Sequence, residues 1–69
     1  MLNEDKLNLQ IRKFLKLVGI TSQREIEKAI REAVAEGNMD ADGRVAAMVT
    51  LEIADLGLRH VIEQDLDLS

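Results

Sequence analysis

The strongest constraint on this chain is a change of hydrophobic period partway along it. Before Asn38 the apolar side chains return every three or four positions, and after Gly43 they return at every second one. The first spacing lines one face of an α-helix, and the second lines one face of a β-strand. A chain that keeps the two periods in separate stretches is expected to be α+β, with helices packed on a small antiparallel sheet.

Residues 3–18 read as a first amphipathic helix. Leu7, Ile11, Phe14, Leu15 and Val18 fall in a stripe about 100° wide at 3.6 residues per turn. Asn3 is a good N-cap, and Glu4 and Asp5 suit the positive end of the helix dipole. Gly19 reads as the stop, a left-handed glycine after which Ile20 folds back onto the last turn. Residues 22–36 read as a second helix. It opens on Ser22-Gln23-Arg24-Glu25, a capping box in which each side chain satisfies the other residue's amide. Ile26, Ala29, Ile30, Ala33 and Val34 would form its buried face, Glu27 and Arg31 stand in the favourable i,i+4 order, and Gly37 closes it. The connection Gly19-Ile20-Thr21 is short, so two antiparallel neighbouring helices are expected.

A polar loop, Asn38 to Gly43, separates these from the strands. Val45, Ala47, Val49, Leu51 and Ile53 alternate with Ala46, Met48, Thr50 and Glu52, as on a half-buried strand. Ala54-Asp55-Leu56-Gly57 suits a turn. Residues 58–66 fit a second strand or a short helix. The strand is preferred, because the first strand needs a partner. The expected architecture is a single α-α-β-β domain over residues 1–69, two antiparallel helices packed on a β-hairpin or three-stranded sheet. Its core would draw on Leu7, Ile11, Phe14, Leu15, Val18 and Ile20, on Ile26, Ile30, Ala33 and Val34, and on Val49, Leu51, Ile53, Leu58 and Ile62.

Size bears on association. A domain of 69 residues covers only about 60% of its unfolded chain's surface, and this one has no cysteine to staple it. Pairing with a second copy or another small protein would supply the missing burial. Leu2 and Leu9 project away from the first helix's apolar stripe, among Lys6, Arg12, Lys13 and Lys16. Leu2, Leu9, Lys13 and Lys16 are therefore the candidate partner-binding residues.

Charge is unevenly placed. Residues 1–36 carry seven basic and six acidic side chains, a net of +1, and residues 37–69 carry two and seven, a net of −5, which sums to the overall −4. A pI near 4.8 makes tight nucleic-acid binding unexpected, since phosphate contacts need a basic footprint. Arg24, Lys28 and Arg31 nevertheless share one side of the second helix. With the short inter-helix turn they suggest a helix-turn-helix or winged-helix-like DNA-binding regulator as the alternative. Glu25, Glu27 and Glu32 dilute that stripe, and Glu52, Asp55, Glu63 and Asp65 would repel phosphate from the wing.

Other chemistry finds little support. Asn38, Asp40 and Asp42 with Gly43 match the first half of a calcium-binding EF-hand loop, but Val49 stands where a bidentate glutamate is required. A solvated loop is the plainer account, and no metal or cofactor is expected. His60 is the only histidine, and zinc needs three or four ligands. No phosphate-binding glycine loop or nucleophile–base pair is present, so the chain is expected not to be an enzyme. The longest apolar run, Val45 to Val49, has five residues, too few to span a bilayer. Met1-Leu2-Asn3-Glu4-Asp5 shows no secretory pattern, and a cytoplasmic location is expected.

The stretches Ile11-Arg12-Lys13-Phe14-Leu15-Lys16, Val18-Gly19-Ile20-Thr21-Ser22-Gln23-Arg24-Glu25-Ile26-Glu27-Lys28-Ala29 and His60-Val61-Ile62-Glu63 resemble a family of small bacterial proteins that form a domain of unknown function. The resemblance runs over nearly the whole chain. The family pattern has Gly where Gln64 stands, and Gln there supports a continuous strand. The resemblance implies a two-helix plus β arrangement and carries no activity, cofactor or catalytic residue. The functional expectation is a non-enzymatic protein-interaction module that self-associates.

Overall fold

The computed structural model describes residues 1–69. They divide into two compact units, Met1–Asn38 and Met39–Ser69. The first is one helix, α1, spanning Glu4–Ala35. The second is an antiparallel hairpin of β1 (Arg44–Ile53) and β2 (Leu58–Asp67), joined by a 3-10 turn over Ala54–Leu56.

The first stretch corrects the expected pair of helices. α1 runs unbroken for 32 residues, about 48 Å at 1.5 Å per residue. The fold is α+β in the order α-β-β, with neither an antiparallel helix pair nor a helix-turn-helix. Gly19 does not take the left-handed conformation that would stop the helix, since only Gly37 and Gly57 have positive φ. Held in a helical conformation, a glycine merely costs about 1 kcal/mol relative to alanine. Thr21 sits in the helix with its hydroxyl donating to the Leu17 carbonyl at 2.8 Å. Ser22 therefore follows a full helical turn instead of opening a new one, and the capping box is unused.

The two apolar stripes also stay in phase across Gly19. Leu7, Val18 and Ala29 are spaced by eleven, as are Ile11, Ser22 and Ala33, and Leu15 with Ile26. Eleven residues make about three turns, so the stripe drifts by only about 20° per repeat and never forces the chain to fold back. Gln23 donates to Glu27 at 3.0 Å, and Glu27 pairs with Arg31 at 3.6 Å, supporting the second half along its exposed side.

The helix ends are as expected. Asn3 accepts the Lys6 amide at 3.1 Å on its side-chain oxygen. At the other end Gly37 has φ +76°, its amide donates to the Val34 carbonyl, and the Asn38 amide donates to that of Ala33 at 2.8 Å. That pair of bonds is the Schellman arrangement, which needs a left-handed residue just beyond the helix.

In the hairpin, residues 58–66 are strand, and no third strand joins the sheet. The register pairs Val45 with Leu66, Val49 with Ile62, Leu51 with His60 and Ile53 with Leu58. Gly57 closes the turn at φ +62°, donating to the Ala54 carbonyl at 3.1 Å. Because directly opposed residues share a face, the period-2 pattern of both strands comes into register.

Neither unit forms the expected core by itself. Neither unit buries a side chain within itself, and Phe14 and Ile62 are each 53% exposed. The reason is architectural: a single helix and a two-stranded sheet are each one layer, and one layer alone covers neither of its faces.

Candidate functional site

The unbroken helix brings together residues that the two-helix reading kept apart. Lys6, Lys13, Arg24, Lys28 and Arg31 fall within about 60° of one another around α1 at 3.6 residues per turn, and Lys16 lies about 60° beyond them. Lys6 and Arg31 are about 37 Å apart along the axis. Leu9, Leu17 and Ile20 lie among these cations and are exposed. Of the candidate partner-binding set, Leu9, Lys13 and Lys16 share this face of the helix, while Leu2 precedes it. The candidate nucleic-acid residues Arg24, Lys28 and Arg31 continue the same face. No acidic residue occurs between Asp5 and Glu25. Within this unit, only Arg31 of the cations on α1 has an ion-pair partner, Glu27.

The hairpin has two unlike faces. One carries Val45, Ala47, Val49, Leu51 and Ile53 opposite Leu66, Gln64, Ile62, His60 and Leu58. Eight of those ten are apolar, and His60 lies among them opposite Leu51. The other face carries Ala46 opposite Asp65, Met48 opposite Glu63, and Thr50 opposite Val61, with Arg44–Asp67 and Glu52–Arg59 at its ends. Both hairpin cations are already paired, Arg44 with Asp67 at 3.5 Å and Arg59 with Glu52 at 3.6 Å. Asp40, Asp42, Asp55, Glu63 and Asp65 have no ionic partner within their unit.

The Asp67 carboxyl is held below its usual pKa, first by the Ser69 hydroxyl at 2.6 Å, then by the Ser69 amide, with Arg44 adding to it. In the loop, the Gly43 amide donates to the Asp40 carbonyl at 3.1 Å. No three His, Asp or Glu side chains of the chain come together as metal ligands would. Two shallow depressions, one over Met48, Glu63 and Asp65 and one along Asp5, Leu9 and Arg12, lie open to solvent. No helix is long and apolar enough to cross a membrane.

Leu17 and Ile20 escaped the sequence reading as surface residues. A stop at Gly19 puts Ile20 in a turn and in the expected core, while Leu17 lies within the first helix but off its apolar stripe. The signal that bears on them is the eleven-residue spacing, which is compatible with one continuous helix.

The chain belongs to a family of unknown function (DUF6494), whose model matches residues 2–69. The resemblance carried by Ile11–Lys16, Val18–Ala29 and His60–Glu63 is confirmed by that match. No curated protein and no solved structure matches the chain.

Proposed function

We propose that this chain is a non-enzymatic protein-interaction module that self-associates, acting in the cytoplasm. One observation carries the proposal: the hairpin sets eight apolar side chains on one face, and its unit contains no second layer to cover them. A two-stranded hairpin alone is at best marginally stable in water. An exposed face of this kind is characteristic of an interaction surface. A second copy suits it, because each copy brings both an apolar hairpin face and an apolar helix stripe.

The test is the solution mass of the full chain by sedimentation equilibrium across about a hundredfold dilution. A mass that rises with concentration, and falls towards that of one chain in Ile62→Asp, is the expected result. A concentration-independent mass of one chain refutes self-association.

A second reading, a DNA-binding regulator, draws support from the alignment of Arg24, Lys28 and Arg31 with Lys6 and Lys13 on one helix face. Such binding would weaken with salt and weaken further when Arg24, Lys28 and Arg31 are neutralised together. The overall charge of −4 opposes it.

A further inference from the structure

We infer that the cationic face of α1 docks on the acidic face of the hairpin of a second copy of this chain. The inference rests on self-association and adds a charged contact on the hairpin face opposite the apolar one.

The two faces are complementary in charge. Lys13 and Lys16 are exposed and have no acidic partner within their unit. On the hairpin, Glu63 and Asp65 are equally unpaired, because both hairpin arginines are engaged by Asp67 and Glu52. One unit thus offers cations without acids beside them, and the other offers acids with no cation left over. Neither surface can neutralise itself.

They are complementary in apolar pattern as well. On α1, Leu9, Leu17 and Ile20 lie between the lysines. On the hairpin, Met48 stands opposite Glu63, and Val61 follows on the same face. Met48 is 65% exposed, which is high for a large apolar side chain on a strand. An apolar centre flanked by charge on each side is the arrangement in which the centre supplies affinity and the charges set partner and register. The extents agree: Leu9 to Ile20 covers about 17 Å of helix, and Ala46 to Glu52 covers about 20 Å of strand.

A second copy fits better than nucleic acid, because the hairpin acids would repel phosphate and bring the chain to −4. The contact joins unlike surfaces. It is therefore either reciprocated across a two-fold axis or repeated head to tail, using the same two faces in both cases.

The experiment uses two charge-reversed full-length variants. One carries Lys13→Glu and Lys16→Glu, and the other carries Glu63→Lys and Asp65→Lys. Sedimentation is measured for wild type, each variant alone, and the two mixed in equal amounts, at low and high salt, with far-ultraviolet circular dichroism to check folding. The expected result is a loss of association of about tenfold or more in each variant alone, and its recovery in the mixture, where every reversed helix meets a reversed hairpin. Recovery should fade with added salt. Lys13→Gln with Lys16→Gln, a milder change, should give a smaller loss with unchanged helicity.

Wild-type association with both variants unaffected overturns this contact and leaves self-association standing. A monomeric wild type overturns both. Loss in each variant without recovery in the mixture overturns the contact too. So does binding of mixed-sequence duplex DNA by wild type that the lysine reversal abolishes while association is unchanged, and it assigns the face to nucleic acid.

Discussion

Gly19→Ala tests the unbroken helix by the sign of its effect. In the structure Gly19 is helical, and a methyl group placed on it would meet no atom within 4 Å. Alanine is favoured over glycine in a helix interior by about 0.8–1.0 kcal/mol, and no steric cost offsets that gain here. The full chain should therefore become more stable by about 1 kcal/mol. At a urea dependence of about 1 kcal/mol per molar, the midpoint should rise by about 1 M, and the melting temperature should rise by about 4–8 °C. Had Gly19 been a left-handed stop between two helices, alanine would instead cost about 1–2 kcal/mol. The two accounts differ in sign, so the assay needs no fine calibration. Circular dichroism at 222 nm during urea unfolding is the measurement, with all proteins at one concentration because association adds to apparent stability. Gly37→Ala is the internal reference. Its φ of +76° is one alanine adopts only under strain, so it should lose about 1 kcal/mol. If Gly19→Ala falls alongside Gly37→Ala, the continuous helix is refuted.

Asn3→Ala removes the acceptor of the Lys6 amide and should cost about 1 kcal/mol in the same unfolding assay, with Asn3→Asp retaining most of it. Gly57→Ala forces a left-handed alanine into the hairpin turn at φ +62°. It should lower stability by about 1 kcal/mol and broaden the amide resonances of Ile53 and Leu58 in nuclear magnetic resonance spectra. The Asp67 carboxyl should titrate below its ordinary value, and Ser69→Ala should raise its midpoint towards that value, as read by carbon chemical shifts. Because the folded pKa is the lower one, its contribution is complete above the unfolded pKa. It is lost as pH falls through the folded value, so Ser69→Ala should change stability at neutral pH and leave it unchanged at strongly acidic pH.

Much of the local structure was legible in the residues. Asn3 at the start of α1, Gly37 at its end and Gly57 in the hairpin turn each act through their own backbone or side chain, so a single residue suffices to place them. The strand assignment of residues 58–66 followed from alternation and from the need of β1 for a partner. The same alternation, once paired by register, produced the apolar hairpin face. For the site, Leu9, Lys13 and Lys16 were readable as one helical face, and so were Arg24, Lys28 and Arg31. That they form a single face was not, because it depends on the state of Gly19. Ile20 was missed for the same reason, whereas the exposed side of Leu17 was readable from the first helix alone.

What the sequence determined by itself was therefore everything governed by neighbours a few positions away: the period of each stretch, the caps, the turn, and the imbalance of charge between the two halves. What only the three-dimensional structure decided was whether Gly19 ends a helix or continues one, and hence how many helices there are and which charges align. Glycine adopts a left-handed stop about as readily as a helical conformation, so its own identity settles nothing. The outcome is set by whether the flanking apolar stripes do better in phase along one axis or folded against each other. That is a sum over two dozen residues, which no local motif at Gly19-Ile20-Thr21 contains.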